Sequence, residues 1–565
     1  MNTPRIAAPQ GITSLFPKFR QLDFWSFVSI VTVAILFILL ILPIFSVFVV
    51  SFFDANTGAF TLDNYIKVFT KNYYLTGLKN SLYVGFMGTL GACLLGVPLA
   101  FFTARFHIWG KQFISTLAIL VLVAPPFIGA YAWIMMFGSN GFVTNFFAQF
   151  GIETPTIYGA GGVILVFTLK FFPFVYLMTQ TALKSVNKSF EDAAENLGCN
   201  ALERFFKVTL PLVFPAVSTG AIICFVLSIA DFGTPAILGR GFRTLSTIAY
   251  SAYTSELGGK PTMAVTISLV MMAISMLALL AQRKILAKRR YASALTNRPV
   301  VSKLTGIQNV LAHVFCYAVV LVAMLPTMVV VYTSFLQTNG PVFTGGFGLQ
   351  SYARVISDAP EAIVNSFSFA LVAVALIAIF SGLISYLIVR RDTKTSGMID
   401  LLMMVPYLVP GVVIAIGFVT TFRTGMFDLT GTAAIIIMIY FIRRLPYGVR
   451  STTTNLRQIK PSLEEAAINL GANPLKAFVT VTVPLILPGL IVGSLMSFIT
   501  AINELSSTLI LYNSGTVTMP IKIYISVLDG EFGIAAALST ILLVSTGLCV
   551  YSVFRFSDDS ESSFV

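Results

Sequence analysis

Twelve stretches of this chain stay apolar for about the 20 residues that a helix needs to cross a hydrocarbon layer about 30 Å thick. They fall at roughly 25–52, 80–103, 113–137, 161–182, 213–238, 261–281, 309–335, 364–389, 398–421, 430–449, 485–511 and 532–554. Hydrophobic residues make up 56% of the 565 and charged residues 10%, with a mean hydropathy of +0.88. A water-soluble core of this size cannot hide that much apolar surface, so the bilayer is the expected solvent. The expected fold class is an all-α polytopic membrane protein of about twelve transmembrane helices.

The formal charge of +13 does not point to nucleic acid, because the basic residues form no single patch and no arginine-rich arm interleaved with aromatics. Their placement follows the membrane instead. With the N-terminus inside, 26 Lys and Arg fall on the inner side, counting Arg443 and Arg444 in the inner half of their span, and nine on the outer side, while Lys170 lies within a span. That bias is the positive-inside pattern and places both termini in the cytoplasm. The first apolar run is too long for a signal-peptide core and no small-x-small cleavage pattern follows, so it reads as an uncleaved anchor. Five scattered cysteines make no CxxC pair, and no disulfide or metal site is assigned. His107 and His313 read as interfacial histidines, and Trp25, Tyr73, Tyr74 and Tyr131 as members of interfacial aromatic belts.

The chain is written twice. At an offset of 273, residues 189–215 (SFEDAAENLGCNALERFFKVTLPLVFP) and 462–488 (SLEEAAINLGANPLKAFVTVTVPLILP) agree at 15 of 27 positions. The same offset pairs Pro173 with Pro446, Lys170 with Arg443, Asp231 with Glu504 and Thr234 with Ser507, and a small gap brings Asn80-Ser81 onto Asn365-Ser366. The expected organisation is a cytoplasmic segment 1–24, a first repeat 25–282, a basic cytoplasmic linker 283–308, a second repeat 309–554 and a tail 555–565. Each copy begins and ends on the same side, so the repeats are parallel, an arrangement that suits a route between two halves.

The most polar duplicated stretch is an octet, EDAAENLG at 191–198 and EEAAINLG at 464–471. Ser189 with Asp192, and Ser462 with Glu465, have capping-box spacing. Gly198 and Gly471 are placed to stop the helix in the left-handed conformation. Asn200 and Asn473 are placed to cap a second short helix, with Pro474 in its first turn. Pro211 and Pro484 then mark the turn into the next span. The result is a short exposed helix, a glycine bend and a second helix, with Ala193-Ala194 and Ala466-Ala467 giving a smooth face that suits a partner's groove.

These residues resemble the EAA loop of binding-protein-dependent ABC import permeases, whose pattern is Glu-Ala-Ala, three residues, Gly, nine residues, then an aliphatic, any residue, Leu and Pro. The first copy supplies Asp192-Ala193-Ala194, Gly198, Val208, Leu210 and Pro211; the second supplies Glu465-Ala466-Ala467, Gly471, Val481, Val483 and Pro484. Asp for Glu in the first copy and Val for Leu in the second are the departures. The resemblance implies a type I importer permease fold with coupling loops at 189–211 and 462–484 that dock on two copies of an ATP-hydrolysing subunit. It also implies a periplasmic solute-binding protein as partner and the bacterial inner membrane as location. The fused double form looks most like the ferric-iron subgroup and its relatives for 2-aminoethylphosphonate or sugar phosphates. The chain contains no GxxxxGK[ST] phosphate loop, so ATP and Mg are expected on the partner subunits, with no cofactor or metal on this chain and no catalytic residue in it.

Ionisable residues inside spans are costly, and each is a functional hypothesis. Lys170, Asp231, Thr234, Arg443, Glu504 and Ser507 have two readings: they line the translocation route, or Lys170 with Asp231 and Arg443 with Glu504 are buried ion pairs that lock each half. Arg444 stands where the first copy has Phe171 and reads as snorkelling to the inner side. Pro125, Pro126, Pro406 and Pro410 permit bending of the third span in each copy. The expected function is the membrane component of an ATP-driven importer, for ferric iron first and an anionic organophosphorus solute second. The rival of another class is a secondary transporter, which also has twelve spans in two halves but needs no docking loops.

Overall fold

The computed structural model describes residues 24–54, 57–254, 261–287, 301–391, 393–423 and 428–556. Of the expected segments, residues 1–23, the linker's 288–300 and the tail's 557–565 lie outside the described residues. Among those described, nine helices are long and apolar enough to cross a membrane, and eleven spans result if each of two sharply bent pairs counts as one. The remaining expected span is the helix Ala433–Gln458, which carries Arg443, Arg444, Arg450 and Arg457 and is the second-copy counterpart of Ala160–Ser185. Among the described residues the regular structure is helical except for a hairpin of Leu336–Asn339 on Val342–Phe347.

Each copy is built on three helices that touch along their length. In the first copy these are Asn72–Arg105, Ala160–Ser185 and Ala201–Ala230; in the second, Pro360–Arg390, Ala433–Gln458 and Pro474–Ile502. Lipid tails are as apolar as leucine, so such helices associate through close packing over small residues. A Cβ on Gly96 would lie 2.9 Å from the Phe172 carbonyl oxygen, and one on Gly220 would lie 2.8 Å from Val175 Cα. In the second copy a Cβ on Gly493 would lie 2.8 Å from Gly448 Cα. The helices approach to backbone contact at these points.

The first span of each copy packs on the other copy. In the helical span Phe24–Val50, Trp25 stacks on Tyr386 with ring centroids 3.9 Å apart, and Ser46 donates to Thr420 Oγ1 at 3.3 Å. In the reciprocal direction, His313 Nε2 on Gly306–Ser334 accepts from the Trp109 N–H at 3.0 Å, and the Tyr317 hydroxyl donates to the Trp109 carbonyl at 2.9 Å. The two sequence repeats therefore interlock. This placement corrects the expectation for Trp25 and Tyr131, which are buried in the protein and not in an interfacial belt; the Tyr131 hydroxyl donates to Ser539 Oγ of the other copy at 3.1 Å.

The expected bending of the third spans is observed, and two further expectations are revised. The third span of each copy breaks at its prolines, by 99° between Lys111–Val123 and the helix after it, and by 110° before Gly411–Phe422. The fifth span stops at Ala230 and Ile502, short of 238 and 511, because Asp231 and Glu504 take the next backbone N–H groups that a continuing helix would use. Pro211 and Pro484 make no turn. They sit inside continuous helices, just after π-helical turns at Phe205–Thr209 and Phe478–Thr482, which absorb the missing proline N–H.

Gly493→Val and Gly220→Val force apart helices in backbone contact and are expected to destabilise the detergent-solubilised protein by about 1–3 kcal/mol or more, read as a lower midpoint of thermal unfolding. Gly547→Ala, whose Cβ would meet nothing within 4 Å, is expected to leave that midpoint unchanged or raised.

Candidate functional site

The two octets lie on short helices, Lys188–Asn196 and Ser462–Asn469. Neither expected serine capping box forms. Asn187 caps the first helix by accepting from the Ser189 N–H at 3.0 Å, which leaves Ser189 within the first turn, and the second helix follows Pro461 without a side-chain cap. The glycine bends are as expected: Gly198 and Gly471 have φ of +87° and +94°. The Cys199 N–H returns to the Ala194 carbonyl and the Ala472 N–H to the Ala467 carbonyl, both at 3.0 Å, which completes a Schellman motif in each copy. Asn200 and Asn473 then cap the next helices, accepting from the N–H of Glu203 at 2.8 Å and of Lys476 at 2.7 Å.

Burial divides the octet residues. Asp192, Ala193, Gly198, Glu465, Ala466 and Gly471 are exposed or half-buried at the surface, while Ala194 is buried and Ala467 half-buried. The residue before each glycine is the most open apolar side chain of the loop, Leu197 at 86% and Leu470 at 89% exposure. Leu202 and Phe206 repeat as Leu475 and Val479, all exposed. A polar loop that exposes four apolar side chains at equivalent places in both copies, Phe190 and Leu463 being the fourth pair, presents a surface made for contact.

The first acid of each octet, which sequence reasoning passed over, is the anchored one. Glu191 meets Arg105 at 2.8 Å and accepts from the Thr209 hydroxyl at 2.9 Å. Glu464 meets Arg390 at 3.1 Å, and the Arg390 guanidinium also donates to the Ile459 carbonyl at 2.9 Å. Arg105 and Arg390 end the second-span helices Asn72–Arg105 and Pro360–Arg390, where a cation also suits the helix dipole. A signal was available: each arginine stands 25 residues after the repeated Asn80 or Asn365.

At the other end of the same helices, Asn80 Nδ2 donates to the Arg243 carbonyl at 2.9 Å, and Ser81 Oγ accepts from the Leu245 N–H at 2.8 Å. In the second copy Asn365 Nδ2 donates to the Val517 carbonyl at 3.0 Å, and Ser366 Oγ accepts from the Met519 N–H at 2.7 Å. These pairs hold the segments beyond the broken fifth spans.

Between the two ends lie the intramembrane charges singled out in the sequence, and all are gathered into two clusters. Lys170 pairs with Asp231 at 2.5 Å, and Asp231 also accepts from the Thr234 N–H at 2.8 Å. Glu504 pairs with Arg443 at 2.6 Å and with Arg444, and it accepts from the N–H and hydroxyl of Ser507 at 3.1 and 2.8 Å. Thr234 and Ser507 are fully buried. Arg444 therefore does not snorkel: a second guanidinium shares the one carboxylate, because leaving it in hydrocarbon alone is costlier. The first cluster is a one-to-one pair and the second has one cation more than anion.

The family model described as "Binding-protein-dependent transport system inner membrane component" matches residues 96–291 and again 378–560. The chain is 29% identical over 504 residues to "Ferric transport system permease protein FbpB" of Actinobacillus pleuropneumoniae, covering 87% of this chain and 72% of that one. It is 28% identical over 479 residues to "Putative ferric transport system permease protein FbpB 1" of Haemophilus influenzae, covering 83% and 75%. It is 26% identical over 235 residues to "Putative 2-aminoethylphosphonate transport system permease protein PhnV" of Salmonella paratyphi A, covering 41% of this chain and 88% of that one.

Removing one partner of a buried pair strands the other charge. Asp231→Asn, which keeps the acceptor for Thr234, is expected to cost about 3–5 kcal/mol, while Lys170→Met with Asp231→Asn costs less than the single change. Thermal unfolding of the three proteins in one detergent checks the order.

Proposed function

The chain belongs to the family of inner membrane components of binding-protein-dependent transport systems, and from that premise we propose that it forms the whole translocation path of an ATP-driven importer of ferric iron. Two ATPase subunits, which bind ATP and Mg, dock on the octet loops at 189–211 and 462–484. A periplasmic solute-binding protein delivers its load at the opposite face. The observation that carries this reading is the paired loop: two matching helix–glycine–helix units, one per copy, each offering an exposed Leu197 or Leu470 and an exposed Asp192 or Glu465. The distribution of Lys and Arg supports placing these loops, and both termini, in the cytoplasm.

The transport step is alternating access. Closure of the ATPases on ATP draws the octet loops together and opens the halves outward, and hydrolysis resets them inward. Lys170, Asp231, Thr234, Arg443, Glu504 and Ser507 serve this cycle by holding the broken fifth spans in place beside the route. Ferric iron is supported by two relatives that match most of the chain and carry it in their names. An anionic solute such as 2-aminoethylphosphonate or a sugar phosphate is favoured by one observation, the surplus cation where Arg443 and Arg444 share Glu504.

The deciding test is uptake into lipid vesicles that hold this chain with its ATPase and binding protein. Uptake of ferric iron that requires ATP is the expected result; uptake of an organophosphorus solute alone selects the second reading, and uptake driven by an ion gradient without ATP overturns both. Leu197→Ser with Leu470→Ser is expected to weaken ATPase binding at least about tenfold, the effect of losing roughly 1.4 kcal/mol, without lowering the thermal midpoint of the isolated chain. Binding isotherms with the purified ATPase measure it.

A further inference from the structure

We propose that the second-span helix of each copy is a connecting rod that delivers motion of the octet helix to the segment beyond the broken fifth span, with Arg105, Ser81, Arg390 and Ser366 as its positioning residues. The proposal rests on the reading of the octets as ATPase docking loops and adds how their motion reaches the far side.

The rod has a fixed length. From Asn80 to Arg105, and from Asn365 to Arg390, 25 residues of helix span about 37 Å at about 1.5 Å per residue. Both ends are tied in both copies by buried or half-buried groups. At the octet end the tie is an arginine–carboxylate pair with low exposure on both sides, Arg105 with Glu191 and Arg390 with Glu464. At the far end, Ser81 and Ser366 are buried, and each accepts a backbone N–H of the segment after the fifth-span break. Breaking the far tie takes the acceptor from the buried Leu245 or Met519 N–H, and breaking the octet tie separates a largely buried ion pair, so each end moves with the rod.

The octet helix has no equally direct route through the fifth span. That helix is continuous from Ala201 to Ala230 and from Pro474 to Ile502, but it ends at the break. The segment after the break is re-anchored, at its start on the fourth-span cation and at its far side on the second span. The helical path is therefore interrupted where the side-chain path is not. Pro98 lies inside the first rod, and the second has no proline beyond its first turn. Close packing clamps the first rod near this point, where a Cβ on Gly96 would meet the Phe172 carbonyl.

The test uses the full chain with its ATPase and binding protein in lipid nanodiscs, in a background without native cysteines. Spin labels at Asn196→Cys and Asn469→Cys report the octet separation; labels at Ser251→Cys and Asp529→Cys, in a second sample, report the far side. Both distances are measured without nucleotide and with ATP trapped. The expected result is a change at both ends in the parent. In Ser81→Ala with Ser366→Ala the octet change persists, the far-side change falls to less than half, and solute uptake falls at least tenfold. Ser81→Thr with Ser366→Thr keeps both acceptors and restores the far-side change, which a loss of folding would not allow. A far-side change in the alanine variant equal to the parent's overturns the rod. An absence of any octet change in the parent, or of ATPase binding to it, counts instead against the reading of the octets.

Discussion

A backbone that leaves the helix inside hydrocarbon must find all of its hydrogen-bond partners within the protein. This chain does so at two equivalent places, where Asp231 and Glu504 end the fifth spans. Each carboxylate takes an N–H group that the helix abandons, and each meets cations from the fourth span, one for Asp231 and two for Glu504. A carboxylate alone at that depth is too costly, and a cation alone is no better. The pair makes the break tolerable, and the break frees a segment on the far side to be held by other elements.

The rest of the architecture is arranged around that freed segment. The fourth span carries the cation at its start, and the second span holds it through Asn80-Ser81 or Asn365-Ser366. The same second span ends in the arginine that anchors the octet helix. Close contacts at glycines keep these three helices as one body in each copy. The exchanged first spans then bind the two bodies to each other, with Trp25 against Tyr386 on one side and His313 against Trp109 on the other. Two bodies joined in this way suit a protein whose halves rock against each other.

Much of this was legible in the sequence because it depends on local chemistry. Apolar length gave the spans, the repeat offset matched Lys170 to Arg443 and Asp231 to Glu504, and the glycine and asparagine positions of the octet loops correctly placed the left-handed bend and the second cap. Most of the failures share a cause: they depend on which face of a helix meets which neighbour. Glu191 and Asp192 are adjacent acids near the start of one helix, and only packing decides that Glu191 is the one that turns to Arg105. Trp25 is interfacial by composition and buried by the exchange of first spans. Pro211 and Pro484 read as turns because a proline ends an α-helix, and a π turn that absorbs it leaves no mark in hydropathy. Arg444 had no counterpart in the other copy, so its sharing of Glu504 had no repeat to reveal it.

The central claim is that one chain carries two docking sites for an ATPase, one per octet. Its most direct test is the mass of the intact complex, measured by native mass spectrometry on the chain purified with a saturating amount of its ATPase. One chain with two ATPase subunits is the predicted composition. A complex that saturates at one ATPase subunit per chain, or the absence of any complex, would contradict the account.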